Sequence, residues 1–205
     1  TDMSRYTNAE HPDFWQPVFH SVLPNDALYV PGAGGTIFRV NKTTGGLVTR
    51  INPFETIDSN TFTAGPISAD SSGNLYYNVI KFQPGVSVYR NDSVDSWLVK
   101  VAPDNSTTKV SYSVLTPGTP GPNDRCEVSF LSSELPWPPS PTADPPTVRC
   151  GPMRVALNIA PTIAPDGTIY FGSYDYKVYS VSQAGVVKWS YATNGLVTGP
   201  IALAV

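Results

Sequence analysis

The residues of this chain best suited to chemistry are few and scattered. Cys126 and Cys150 form an even pair, and with only His11 and His20 to accompany them they suit a disulfide better than a metal site, which would want more Cys or His at short spacing. His20 beside Ser21 could suggest a nucleophile and its base, but no Gly-x-Ser-x-Gly turn or orienting acid accompanies them, so a structural role is expected. The turn Asp70-Ser71-Ser72-Gly73-Asn74 offers oxygen ligands for Ca²⁺, yet it lacks the acidic twelve-residue loop with its bidentate Glu and reads first as a hairpin turn. Trp137, set in Pro136-Trp137-Pro138-Pro139-Ser140-Pro141, could engage an aromatic-lined groove as a polyproline II segment. Tyr76, Tyr77, Tyr170, Tyr174, Tyr176 and Tyr179 could stack on a sugar, although strand positions make packing their default. Three sequons begin at Asn41, Asn91 and Asn105, all in expected turns. No catalytic, cofactor or metal constellation is assigned.

What positions these residues is a repeated phrase. Its fullest copy runs Pro161-Thr162-Ile163-Ala164-Pro165-Asp166-Gly167-Thr168-Ile169-Tyr170-Phe171-Gly172-Ser173. Looser copies begin at Pro17 and Pro66, and another begins at Pro200. Around them the chain alternates in short runs punctuated by Gly, Asn and Asp, the pattern of antiparallel hairpins, with no convincing helix. The first unit predicts strands at Pro17–Val22, Ala27–Pro31, Thr36–Val40 and Leu47–Ile51. The second predicts Pro66–Ala69, Asn74–Phe82, Ser96–Val101 and Lys109–Leu115, and the third Asn158–Ala164, Thr168–Ser173, Lys177–Ser182 and Val186–Ala192.

The outer phrase intervals match the roughly 40 to 50 residues of blade repeats, while the interval from Pro66 to Pro161 is about twice that. Residues 116–152 hold nearly half of the chain's 21 prolines, and proline is excluded from central strands. They read as an insertion closed by Cys126 and Cys150. The expected fold is therefore all-β: a β-propeller of four-stranded blades at 17–63, 66–115 and 153–197, with one further strand at 199–205. Propellers have about four to eight blades, so the arc is expected to be a piece of a longer protein or to close against another polypeptide.

Composition bounds the rest. The 205 residues are 40% apolar and only 14% charged, with a net charge of −3. There is no Lys/Arg cluster to neutralise a row of phosphates, which excludes nucleic acid as an expected partner. No apolar run approaches the roughly 20 residues that span a bilayer. A disulfide and a weakly charged surface point to an extracellular or periplasmic protein.

The third unit resembles the quinoprotein-type, or PQQ-like, β-propeller repeat. The resemblance rests on Ala160-Pro161, Asp166 to Ser173, Val178-Tyr179-Ser180-Val181, Gly185 and Lys188-Trp189. It implies that Gly185 and Trp189 dock neighbouring blades. In the first unit Arg50 stands where that tryptophan would be, and the second has Lys109–Tyr112 there. Dehydrogenases of this family hold pyrroloquinoline quinone and Ca²⁺ on the channel axis, often with a bridge between adjacent cysteines, which Cys126 and Cys150 are not. The expectation is a secreted, non-catalytic scaffold or protein-interaction module with no cofactor, partnered by a protein or by remaining blades. The alternatives are an arc of a quinone-dependent alcohol or sugar dehydrogenase and a carbohydrate-binding propeller.

Overall fold

In the computed structural model the described residues are 19–84, 92–116, 123–127, 138–151, 155, 159–195, 197 and 199–203. They form three antiparallel meanders and a small satellite sheet. The first meander is β1 (Leu28–Pro31), β2 (Ile37–Val40) and β3 (Leu47–Ile51). The second comprises β4 (Thr61–Thr63), β5 (Ser68–Ala69), β6 (Leu75–Phe82), β7 (Ser93–Val101) and β8 (Thr107–Ser111), followed by the one-turn helix α1 (Tyr112–Leu115). The satellite pairs β9 (Arg125–Glu127) with β10 (Thr147–Arg149). The third meander is β11 (Thr162–Ile163), β12 (Ile169–Gly172), β13 (Lys177–Val181) and β14 (Val187–Ala192), in that spatial order.

The middle strand β6 explains the stacking. Successive side chains of a strand point to opposite faces, and nearly every residue of β6 is buried, so both faces must be covered. Leu75, Tyr77 and Val79 join Tyr29, Ile37 and Ile51 of the first meander in one core. Tyr76, Ile80 and Phe82 join Ile169, Phe171, Tyr179 and Val181 of the third in another. The second meander is thus sandwiched between its neighbours, the arrangement of successive propeller blades. Among the described residues no sheet closes into a barrel, and the arc is that of a partial β-propeller.

Polar contacts fix the stack. The Tyr77 hydroxyl donates to the Gly35 carbonyl at 3.0 Å, tying the second sheet to the first. Asn78, 1% exposed, accepts from the Tyr112 hydroxyl at 2.6 Å and donates to the Ile159 carbonyl at 3.4 Å. Gly65 is required nearby, because a Cβ there would overlap the backbone of Ile159. Between the inner segments of successive units, the Ser68 hydroxyl donates to the Pro161 carbonyl, and the Thr162 hydroxyl donates to that of Ile201 at 2.7 Å.

Several expectations are corrected. The strand expected from Lys109 to Leu115 stops at Ser111, and a turn of helix follows where none was expected. The Ser111 hydroxyl caps that turn by accepting from the Ser113 amide at 3.2 Å, and the i, i+3 spacing sends Tyr112 and Leu115 into the core together. Thr61–Thr63, expected in the first unit, pairs instead with Lys81–Val79 of the second. The first unit's leading strand is reduced, within the described residues, to a bridge between Val22 and Tyr29. Residues 199–203, expected as a strand, pair in no ladder.

The insertion is a clasp. Cys126 and Cys150 are disulfide-bonded, with Cα atoms 5.6 Å apart. From β10, the Arg149 amide donates to Asp92 at 2.7 Å and its carbonyl accepts from the Ser93 hydroxyl at 3.0 Å, both on the second meander. Burial raises the pKa of the Tyr176 phenol in the third, and Glu127 of β9, hydrogen-bonded to it, raises it further.

Candidate functional site

Two features of the arc could engage a partner: a cleft between equivalent turns, and the open face of the third sheet. The cleft, of about 390 Å³, lies between Ala69–Ser72 and Ile163–Gly167, with Gln183 at its edge. Both turns are built the same way. Asp166 accepts from the Thr168 amide and hydroxyl, each at 2.9 Å, and Gly167 takes φ of +80° so that β11 can double back into β12. Asp70 accepts from the amides of Ser72 and Asn74 at 2.9 Å, from the Asn74 side chain at 2.8 Å and from the Tyr76 hydroxyl at 3.0 Å.

These carboxylates are already spent. Burial pushes the Asp70 carboxyl up, but the donors of Asn74, Tyr76 and Ser72 outweigh it and hold the group below its ordinary value. Asp166 is lowered by its two bonds from Thr168, with a smaller contribution from Lys188. Both carboxylates act as turn caps, Asp70 in the hairpin turn that its sequence suggests. These turn carboxylates do not fit the Ca²⁺ that quinone-dependent members of the resembled family hold, and no chemical step through it follows.

A depressed Asp pKa stabilises the fold above the unfolded value of about 3.9 and loses that contribution as pH falls through the folded value. Asp70→Asn should therefore cost about 1 kcal/mol at pH 7, since its Nδ2 cannot accept from Tyr76 or Asn74. The difference should shrink at pH 3. Thermal melts of both proteins at the two pH values measure this, and equal melting at pH 7 would refute the capping role.

The open face belongs to β12, β13 and β14. Cross-strand register places Tyr170, Ser180 and Trp189 on one line and Gly172, Val178 and Tyr191 on the next. The opposite face of β12 and β13 is buried on the second meander through Ile169, Phe171, Tyr179 and Val181. Trp189 and Tyr191 are 47% and 69% exposed, and every residue of β14 is exposed. Trp189 touches Tyr170 with ring centroids 5.8 Å apart. Val197 packs against Gly172, where a Cβ would collide with it, so the chain leaving β14 returns across this face before reaching Ile201 beside Thr162.

Other expected site residues fall as follows. Gly185 takes φ of +77°, and a Cβ there would lie 3.0 Å from Val110 of the second meander. His20 and Ser21 are exposed and do not line this cleft. The six tyrosines do not converge. Tyr76 and Tyr77 lie on opposite faces of β6, Tyr179 bonds Asp175, Tyr176 bonds Glu127, and Tyr170 is the member on the open face. Asn41 and Asn105 sit in the β2–β3 and β7–β8 turns, while Asn91 and Trp137 lie outside the described residues. Tyr191 was missed as a surface residue, although the alternation Trp189, Tyr191 hints at it; a bulge at Lys188 turns Val187 to the other face, opposite Val181. Among the described residues no helix is long and apolar enough to cross a membrane.

No family model matches the chain, and no curated protein does. Among solved structures, it is similar to BamB from Moraxella catarrhalis at 10% identity and a TM-score of 0.34, over 85% of this chain and 48% of that one. It is also similar to the β-propeller domain of Myceliophteria thermophila Cps50 (Swd1), at 10% identity and a TM-score of 0.32, over 90% of this chain and 61% of that one. The chain thus spans about half to three-fifths of the length of these solved chains.

Proposed function

We propose that this chain is a secreted, non-catalytic propeller arc of quinoprotein-type repeats that serves as a scaffold, its open third sheet being covered by a further sheet from remaining blades or from a partner protein. The observation that carries the reading is the asymmetry of β12 to β14. On β12 and β13 one face is sealed on the second meander, while on the other the part-buried Tyr170 and Val178 lead to the exposed Trp189 and Tyr191 of β14, beside an inner segment at 199–203. A sheet is stable when both apolar faces are covered, and exposed apolar patches of this kind mark interaction surfaces. In this reading Gly185 docks the third sheet on the second, and Trp189 docks whatever follows. The disulfide suits an oxidising compartment.

Light scattering tests the reading. The chain alone should associate with rising concentration through this face, and a Trp189→Ser/Tyr191→Ser variant should remain monomeric with unchanged melting. A parent chain that stays monomeric at every concentration, with Trp189 open to solvent quenchers, would overturn it.

A further inference from the structure

We infer that Asn41 is an N-glycan attachment site in the folded protein and that Asn105, although it also heads a sequon, is not. The two asparagines occupy equivalent outer hairpins, β2–β3 and β7–β8, so position along the repeat does not separate them. Their surroundings do.

Asn41 heads Asn41-Lys42-Thr43 in a turn exposed from Asn41 through Val48. Its Oδ1 accepts from the amides of Thr43 and Thr44 at 2.9 and 3.0 Å, while its Nδ2 has no partner among the described residues. Gly45 across the turn has no neighbour within 4 Å of an added Cβ, so the space beside the side chain is open. A sugar on Nδ2 keeps the carbonyl oxygen as acceptor and therefore preserves both turn hydrogen bonds.

Asn105 heads Asn105-Ser106-Thr107 and differs at each point. It is half-buried, takes φ of +68°, and its Oδ1 is buried without a hydrogen-bond partner. The hydroxyl residue of its sequon, Thr107, is fixed in the ladder opposite Val101, and the intervening Ser106 is tied to Asp104 at 2.6 Å. A glycan here stands on a carboxamide whose carbonyl end is already packed, in a turn held at φ of +68° and pinned by the ladder that begins at Thr107. Chains modified at Asn105 before folding are therefore selected against among folded molecules.

The reaction transfers an oligosaccharide from a polyprenyl diphosphate donor. The bond from sugar C1 to the diphosphate oxygen breaks, the Nδ2–C1 bond forms, and one amide proton is lost as the polyprenyl diphosphate leaves. The site does not depend on what covers the third sheet, so this inference and the scaffold reading fail separately.

The test is expression of the full chain behind a secretion leader in a eukaryotic host that glycosylates, with peptide mapping of the disulfide-intact folded fraction before and after peptide N-glycosidase treatment. Mapping reads each sequon separately, so Asn91 does not confuse the outcome. Asn41 is expected to carry glycan in most molecules and Asn105 in few. Thr43→Ala, which leaves the Asn41 turn cap in place, should abolish modification at Asn41 without lowering the melting temperature of unglycosylated protein made in a bacterial periplasm. Bare Asn41 in folded parent protein, or equal occupancy at Asn105, would overturn the inference.

Discussion

Replacing Phe171 with alanine is expected to cost about 3–5 kcal/mol, the range for truncating a buried aromatic, and so to lower the melting temperature by roughly 6–20 °C at about 2–4 °C per kcal/mol for a chain of this size. Phe171 is 1% exposed and sits where the second and third meanders meet. Its ring meets Tyr112 edge-on with centroids 4.7 Å apart and stacks on Tyr179 at 5.3 Å. Truncation removes both ring contacts and leaves a cavity that the backbone cannot close, because Asn78 holds Tyr112 in place from the other side. Phe171→Leu should cost less than half as much. Val178→Ala, on the open face of the neighbouring strand, is the control and should lie within about 1 kcal/mol of the parent. Melting followed by circular dichroism reads all three, and a Phe171→Ala loss no greater than that of Val178→Ala would show that this seam does not hold the sheets together.

Removing the bridge with Cys126→Ser and Cys150→Ser is expected to cost about 3 kcal/mol, the loop-closure value for the 24-residue separation between them. The loss should be local first. β9 and β10 pair over three residues only, and they reach the blades through Asp92 and Ser93 on one side and Tyr176 on the other. Without the bridge the free ends of this short ladder gain the entropy that the cross-link denies them, and the clasp should open before the cores melt. Limited proteolysis should then cut between residues 117 and 147 while the three meanders survive. Parent protein whose melting and protease pattern are unchanged by a thiol reductant would refute this.

The legibility of the chain varies with how much of each element is local. In the third meander, the strand boundaries follow from Asp166-Gly167 and Gln183-Ala184-Gly185, because hairpin turns are written in adjacent residues. The disulfide was legible for the same reason that a metal was not: there were two cysteines and no ligands to join them. Three features were not legible. Thr61–Thr63 is too short to announce a strand and owes its pairing to the unusual length of β6. Tyr112–Leu115 follows a strand without a break in its apolar pattern, and only the core that receives Tyr112 and Leu115 together turns the segment into helix. The open face was half legible: Trp189 stood out through its resemblance to a docking residue, but its exposure, and its partnership with Tyr170 and Tyr191, depend on cross-strand register that no single stretch of sequence specifies.

The two hydroxyl bonds between inner segments, from Ser68 to Pro161 and from Thr162 to Ile201, also act as a gauge. Apolar sheets pressed face to face can slide, since dispersion contacts hold at many offsets, whereas a directional bond holds at one. Each bond therefore sets the level of the next sheet relative to the last. Because Ile201 is already held against Thr162, the height of whatever covers Trp189 and Tyr191 is settled before it arrives, and a candidate must match that level as well as the apolar relief.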